Sequence, residues 1–309
     1  MSRIAYVNGR YLPLSQATIG VEDRGYMFAD GVYEVCVVKN KRIIDEGRHM
    51  SRLARSLNEL RIRWPMAPSA LGVVMRETIR RNRVSNGVVY VQITRGAGPR
   101  NHAFPPDTVS PSAVVVARPI DREQVERVAS EGIAVITTPD NRWERVDIKS
   151  VSLLPNVLAK QAAKEAGAAE AWFVDKAGHV TEGASSNAWI VTEDGVLVTR
   201  TADSGILRGV TRQVVLDLIR REGITFEERS FTVSEAQAAR EAFISSAGNL
   251  VMPVVRINGR AIGEGKPGPL SLKLRQLFFT QADASPLAWT PGAIAHEPDL
   301  SDKEGNFHF

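Results

Sequence analysis

Two Asn-Gly dipeptides, at residues 8–9 and 258–259, constrain the fold of this chain more than any other local feature. Asn-Gly between apolar-rich segments is the strongest short-range signal for a two-stranded antiparallel hairpin, because both turn residues readily take positive φ angles. Between the two dipeptides, strand-like runs and helical periodicity follow one another in mixed order. This order predicts an α+β protein with two domains and a cleft between them.

Helical periodicity is clearest where Met50, Leu53, Leu57 and Leu60 recur at three- and four-residue steps, which is one face of an amphipathic helix. Residues 31–44 indicate two strands with a turn near Asn40-Lys41. The other predicted elements are strands at 88–94, 113–117, 133–137 and 242–246, and helices over about 70–84, 154–166 and 210–222.

A charged stretch follows Arg118-Pro119 and separates the two halves of this pattern. After residue 280 the periodicity is lost, and Pro, Gly and Asp become frequent, which is typical of an irregular tail. We therefore predict an N-terminal α+β domain over 1–120, an inter-domain linker over 121–131, a C-terminal domain over 132–280 and an irregular tail over 281–309.

The composition excludes several classes of protein. Hydrophobic residues make up 43% and charged residues 24%, as in ordinary globular domains. No apolar run approaches the roughly 20 residues of a membrane helix, and the N-terminus lacks the apolar core of a secretory signal. The net charge of +4 is spread along the chain, so neither a nucleic-acid nor a membrane partner is expected. The single cysteine, Cys36, lies in an apolar run, which favours a buried thiol and a reducing, cytoplasmic location.

Two charged residues are candidates for chemistry. Lys149 lies just before a predicted helix, and its neighbours Val146, Ile148 and Val151 are apolar. Desolvation of this kind lowers the pKa of an amine towards that of a useful nucleophile, although a lone lysine is more commonly a solvated charge. Glu182 lies among small residues at a strand end, either as an exposed turn carboxylate or as the buried partner of a cation.

Two further segments could bind an anion. Gly209, Val210 and Thr211 come just before an amphipathic helix, where free backbone amides and a hydroxyl either bind an anion or simply cap the helix. His49 and Arg52 lie three residues apart on another helix, as a solvated basic face or as a phosphate clamp. Together with Lys149 and Glu182, these segments supply the parts of a single site.

Four segments carry a resemblance to a known family. DIKSVSLLPNVLAKQ, TEGASSNAW and LRGVTR resemble, in this order, the signature blocks of the class IV aminotransferases, and DRGYMFADGVYE fits the same family. The resemblance spans residues 20 to about 257. It implies a fold-type IV enzyme with two α+β domains, with pyridoxal 5'-phosphate (PLP) in the cleft between them. It also implies that the C-terminal domain binds PLP and that the protein is a homodimer.

The resemblance assigns roles to individual residues. Lys149 is similar to the Schiff-base lysine that also moves protons, Glu182 to the partner of the pyridine nitrogen, and Arg52 to the phosphate arginine. The other implied cofactor-binding residues are Leu207 against the ring, Gly209, Val210 and Thr211 at the phosphate, Ser185 and Asn187 beneath the cofactor, and Ser246 and Ala247 near the phosphate. Many D-amino acid enzymes of the family have a hydroxyl residue where Ala247 stands, which leaves Ser246 and the Ala247 amide as donors.

The segment TRGAGPRNHAFP distinguishes branches of the family. Arg100 and His102 are similar to the pair with which D-amino acid aminotransferases hold the substrate α-carboxylate, and Tyr33 to the tyrosine that completes that site. The resemblance therefore implies transamination between D-amino acids and 2-oxo acids, of the D-alanine and D-glutamate type, without a metal. The alternatives are a branched-chain L-amino acid aminotransferase, an (R)-amine transaminase, an aminodeoxychorismate lyase or, less favoured, a PLP-binding protein without turnover.

Overall fold

The computed structural model describes residues 3–283, and these residues form two β-sheets with helices packed on them, in an α+β arrangement. The strands are β1 (Ile4–Val7), β2 (Arg10–Pro13), β3 (Gly31–Lys39), β4 (Arg42–Ile43), β5 (Gly87–Thr94), β6 (Ser112–Pro119), β7 (Ile133–Pro139), β8 (Glu170–Val174), β9 (Val180–Gly183), β10 (Asn187–Val191), β11 (Leu197–Thr199), β12 (Phe226–Glu228), β13 (Glu241–Ser246), β14 (Leu250–Ile257) and β15 (Arg260–Ala261). The helices are α1 (Arg24–Phe28), α2 (Glu46–Glu59), α3 (Pro68–Arg81), α4 (Arg122–Glu131), α5 (Leu154–Glu165), α6 (Val210–Arg221), α7 (Val233–Ala238) and α8 (Pro269–Asp283).

The N-terminal sheet has six strands in the order β2-β1-β6-β5-β3-β4, and every neighbouring pair is antiparallel. Burial alternates along β3, as the two-residue period of a strand requires. Val32 and Cys36 are buried in a core that includes Leu53 and Leu57 of α2. Tyr33 therefore lies on the opposite face of the sheet, where a cavity opens.

The C-terminal sheet is mixed and has the strand order β12-β11-β10-β13-β14-β7-β8-β9, with β15 paired to β14. β7 runs parallel to both of its neighbours, β14 and β8, whereas β10, β13 and β14 are antiparallel. Three hydrophobic clusters pack on this sheet, and one of them includes Val214 and Leu218 of α6 and Leu274 and Phe278 of α8. The sheet thus gives α6 and its N-terminus a rigid support.

Both predicted hairpins are confirmed. Asn8 and Gly9 have φ angles of 45° and 93°, and Asn258 and Gly259 have φ angles of 51° and 80°. β1 pairs with β2 and β14 pairs with β15 around these turns. The predicted buried state of Cys36 is also observed, since its side chain is 1% exposed, and burial raises the pKa of its thiol well above the usual value. The thiol is therefore protonated and not poised as a nucleophile.

Two helices differ from the expectations. The segment predicted as a linker, residues 121–131, is mostly α4, whose first turn is capped by the Asp121 carboxylate accepting from the Gln124 amide at 3.0 Å. Only Ala129 is buried in α4, so the helix shows too little apolar periodicity to be recognised. α8 continues to Asp283, three residues into the predicted tail, and the rest of the tail lies outside the described residues. The domain boundaries stay a prediction.

Candidate active site

An open cavity of about 390 Å³ lies between the two sheets. Its wall contains all the residues that the sequence assigned to a cofactor, and also Tyr33. These cofactor candidates are Arg52, Lys149, Glu182, Ser185, Asn187, Leu207, Gly209, Val210, Thr211, Ser246 and Ala247. The fold therefore brings together groups that are far apart in the chain.

Lys149 is fixed to the N-terminal sheet by its backbone. Its carbonyl accepts a hydrogen bond from the Tyr33 amide at 3.0 Å, and its amide donates to Ser56 Oγ of α2 at 3.2 Å. The side-chain Nζ lies 4.2 Å from the centre of the Tyr33 ring. Within residues 3–283 this amine forms no ion pair, so it is available to a carbonyl carbon in the cavity.

Glu182, in β9, is a buried acceptor with three kinds of donor around it. It accepts hydrogen bonds from Arg142 Nη1 at 2.5 Å, from Asn187 Nδ2 at 3.0 Å and from the Leu207 amide at 3.1 Å. Burial raises the pKa of the Glu182 carboxyl, and the positive charge of Arg142 opposes this rise. A cationic N–H group placed in the cavity would favour the ionised carboxylate further.

Arg142 was not predicted from the sequence as a site residue. Its guanidinium binds Asp140 through Nε at 2.9 Å and Nη2 at 2.7 Å, and it also contacts Thr181 Oγ1 at 3.3 Å. Only 6% of its side chain is exposed. Arg142 therefore links the end of β7 to Glu182. The short loop that contains it has no periodicity or motif, so no signal in the sequence pointed to it.

The buried Glu34 binds two basic side chains of the cavity wall, Arg52 and His49. Arg52 binds its carboxylate with Nε at 2.7 Å and Nη2 at 2.8 Å, and His49 Nδ1 lies 2.9 Å from the same group. Burial alone would raise the pKa of Glu34, but the charge and hydrogen bonds of Arg52, with that of His49, hold it below its usual range. Arg52 and His49 thus face the cavity rather than forming a solvated basic surface.

The N-terminus of α6 lies beside this arginine. Arg52 Nη1 donates to the Arg208 carbonyl at 3.1 Å, immediately before Gly209, which is the N-cap residue of α6. No side chain caps the first turn, so its backbone amides are free to bind an anion. A Cβ at Gly209 would come within 2.1 Å of Asn187 Oδ1, which explains why glycine is required there.

Arg100 and His102 lie outside the cavity of their own chain, on an exposed loop after β5. Both side chains pack on the same ring: the Arg100 guanidinium lies 5.2 Å, and the centre of the His102 ring 5.3 Å, from the centre of the Phe28 ring. The buried Arg24 holds this loop by donating to the carbonyls of Asn101 at 2.5 Å and His102 at 3.2 Å. Arg100 and His102 thus lie together on an exposed surface of the chain and not in its own cavity.

The cavity thus combines an amine, a buried carboxylate and an anion-binding helix terminus. Such a set suits a carbonyl-bearing, phosphorylated cofactor with a basic nitrogen, since each part has a matching group. Among residues 3–283, no cluster of three His, Cys, Asp or Glu side chains could hold a metal ion. In the same range, no helix is long and apolar enough to cross a membrane.

Comparisons with known proteins agree with this site. The family described as amino-transferase class IV matches residues 31–257. The chain is 38% identical over 273 residues to a D-alanine aminotransferase from Staphylococcus haemolyticus, which covers 88% of this chain and 95% of that protein. It is 39% identical over 277 residues to a D-alanine aminotransferase from Listeria innocua, covering 89% and 94% of the two chains.

Solved structures share the fold. A branched-chain amino acid aminotransferase from T.th. with pyridoxamine 5'-phosphate superimposes with a TM-score of 0.84 at 26% identity, over 93% of this chain and 96% of that one. A branched-chain aminotransferase from the archaeon Thermoproteus uzoniensis with norvaline has a TM-score of 0.79 at 25% identity, over 90% and 94% of the two chains. The family match covers well over half of the chain and includes Lys149, Glu182 and the N-terminus of α6. The chain belongs to the class IV aminotransferases.

Proposed function

We propose that this protein is a PLP-dependent aminotransferase that transfers amino groups between D-amino acids and 2-oxo acids of the D-alanine and D-glutamate type. The observation that carries the proposal is the cavity in which Lys149, Glu182 and the α6 N-terminus meet. The two D-alanine aminotransferases to which the chain is similar support the choice of D-amino acids.

The residues of the cavity fit PLP. The volume of about 390 Å³ falls within the range of small-molecule sites. The uncapped amides of α6, the buried Thr211 hydroxyl and Arg52 can receive a phosphate. Glu182 can accept from a pyridine nitrogen, and Lys149 is the residue proposed to bond covalently to the PLP aldehyde. The backbone amide of Ala247 stands beside Ser246 as a further donor, since both residues line the cavity.

When bound, PLP supplies an electron sink for the pair left on the substrate α-carbon. The Glu182 carboxylate would keep a proton on the pyridine nitrogen, because an adjacent negative charge raises the pKa of that nitrogen. Lys149 Nζ, when not bonded to the cofactor, would accept the proton from the substrate α-carbon and deliver it as a general acid to C4' of the cofactor. Arg52 and the α6 N-terminus would hold the phosphate in place.

We propose a homodimer in which the loop of one copy completes the cavity of the other. Arg100 and His102 are exposed in their own chain although Arg24 holds their loop rigid. Tyr26 and Phe104, next to this loop, are large apolar side chains exposed to 80% and 49%. Both side chains would lose their contact with water in an interface formed by this loop. A second copy would cover it and receive the carboxylate-binding pair.

A single-turnover half-reaction tests the proposed function. The PLP-loaded enzyme is mixed separately with D-alanine, L-alanine and L-leucine, and the loss of the cofactor absorbance is followed. We expect D-alanine to react far faster than either L-amino acid, because Arg100, His102 and Tyr33 fix the carboxylate and thereby present the D-enantiomer's α-hydrogen to Lys149. A preference for L-leucine would move the protein to the branched-chain branch, whose fold it shares.

The proposed dimer is tested with hybrid enzymes. Arg100→Leu and Lys149→Ala homodimers should both be severely impaired with D-alanine. A hybrid purified by two different tags has one cavity with both defects and one with neither, if the Arg100 loop serves the other copy. Its activity should then recover to about half of the wild-type value, since the two sites of a symmetric dimer are equivalent. No recovery would mean that Arg100 acts in its own chain, whereas an unimpaired Arg100→Leu homodimer would place Arg100 outside the site.

The cytoplasmic location stays a prediction. It rests on the single cysteine, Cys36, which is buried and cannot form a disulfide within the chain. Fractionation of cells that express the protein without added signals would test it.

A further inference from the structure

One arginine in the cavity wall has no partner among residues 3–283. Arg118, near the end of β6, lines the cavity, but its guanidinium forms neither an ion pair nor a hydrogen bond with any described residue. The other guanidinium groups of the wall are paired, Arg52 with Glu34 and Arg142 with Glu182. Arg118 is also exposed to water, so it is free to bind an anion that enters the cavity.

The register of the N-terminal sheet explains why Arg118 faces the cavity. Val116 lies opposite Tyr90, and Tyr90 lies opposite Val35, so these three residues share one face of the sheet. Arg118 is two residues beyond Val116 and is therefore on the same face. Val35, like Tyr33, lines the cavity on this side.

Within residues 3–283, no carboxylate forms an ion pair with Arg118, and the cavity face of the sheet near it is aromatic and apolar. Tyr33 and Tyr90 stack with ring centres 5.7 Å apart, and Val35 lies in the neighbouring row. Burial raises the pKa of Tyr90 to about 12, so its phenol stays neutral. The guanidinium thus stands at the rim of an aromatic and apolar wall, where a substrate side chain would be accommodated.

Resting on the proposed function, we propose that Arg118 binds the side-chain carboxylate of acidic substrates, namely D-glutamate, D-aspartate and the corresponding 2-oxo acids. The forked guanidinium can bind a carboxylate with two parallel hydrogen bonds. Both half-reactions of an aminotransferase use the same cavity, so its side-chain region has to accept substrates of different character. An exposed arginine meets this demand, because it stays hydrated when D-alanine is bound and pairs when a second carboxylate arrives.

The test compares D-glutamate with D-alanine in wild type, Arg118→Gln and a matched control, Arg127→Gln. Arg127 is an exposed arginine of α4 outside the cavity wall, so its replacement removes the same charge elsewhere. In Arg118→Gln we expect kcat/KM for D-glutamate to fall roughly 10- to 100-fold, as for the loss of a charge-assisted bidentate contact, while D-alanine changes less than about twofold. Arg118→Lys should fall between, because an ammonium lacks the fork. Arg127→Gln should leave both values unchanged.

A ratio of the two kcat/KM values that is the same in Arg118→Gln as in wild type would overturn the inference, whether both values are unchanged or both fall equally. Failure of the proposed function has a different signature, namely wild-type turnover of L- but not D-amino acids. In that case the same ratio, measured with L-glutamate and L-alanine, decides whether Arg118 binds the side-chain carboxylate.

Discussion

Replacing Lys149 with alanine is expected to abolish transamination, with a loss on the order of 10⁴-fold or more in the half-reaction with D-alanine. Lys149 is the only lysine in the cavity wall among residues 3–283, so no other primary amine is placed to bond to the cofactor or to move the α-proton. The variant should still retain PLP, because Arg52 and the α6 N-terminus are intact. The measurements are single-turnover rates and PLP content after gel filtration.

Lys164→Ala is the matched control for this variant. Lys164 is an exposed lysine of α5 and lies outside the cavity wall. Its replacement should leave the half-reaction unchanged. Near wild-type turnover by Lys149→Ala would contradict the proposed mechanism. Loss of PLP together with activity would show that the main role of the lysine is to retain the cofactor.

Glu182→Gln should slow the chemical step on the order of 10²-fold or more, equivalent to about 2.7 kcal/mol of transition-state stabilisation. An amide has no negative charge with which to keep a proton on the pyridine nitrogen. The change also places an NH₂ group among the donors Arg142, Asn187 and the Leu207 amide, where only acceptors are satisfied. Single-turnover rates at saturating D-alanine measure the chemical step.

Thermal unfolding separates the two effects of this substitution. A change in Tm reports the disturbed donor network, whereas Glu182→Asp retains the charge and should recover part of the rate despite a similar disturbance. Unchanged single-turnover kinetics in Glu182→Gln would place the pyridine nitrogen elsewhere, and equal rates for the Gln and Asp variants would mean that geometry matters more than charge.

The local elements of this fold were predictable because their signals are local. The Asn-Gly turns, the alternation in β3 and the apolar face of α2 each depend on residues within a few positions of one another. α4 was missed since it buries a single side chain. No helix was predicted over 269–283, although Leu274, Phe278 and Ala282 of α8 are buried at four-residue steps, and only the last three residues of α8 lie in the predicted tail.

The partners of the site residues were not predictable in the same way. Arg142 meets Glu182 across 40 residues and Glu34 meets Arg52 across 18, and neither pair has a spacing that marks it. Lys149 and Glu182 were found because the blocks around them resemble a family, not because their spacing predicts contact. The separation of Arg100 from the cavity of its own chain depends on how a loop leaves the sheet, which sequence periodicity does not describe.

The backbone attachment of Lys149 has a consequence for motion. Although Lys149 follows β7 in the chain, its carbonyl and amide are bonded to β3 and α2 of the N-terminal sheet, whereas Glu182 belongs to the C-terminal sheet. A hinge opening between the sheets would therefore carry the amine away from the carboxylate. Two contacts join α2 to the region of α6 and would have to break in such an opening. They are the hydrogen bond from Arg52 to the Arg208 carbonyl and the ion pair between Arg48 and Asp217. The distance between the Lys149 amine and the Glu182 carboxylate thus depends on how the two sheets are held against each other, and not on either sheet alone.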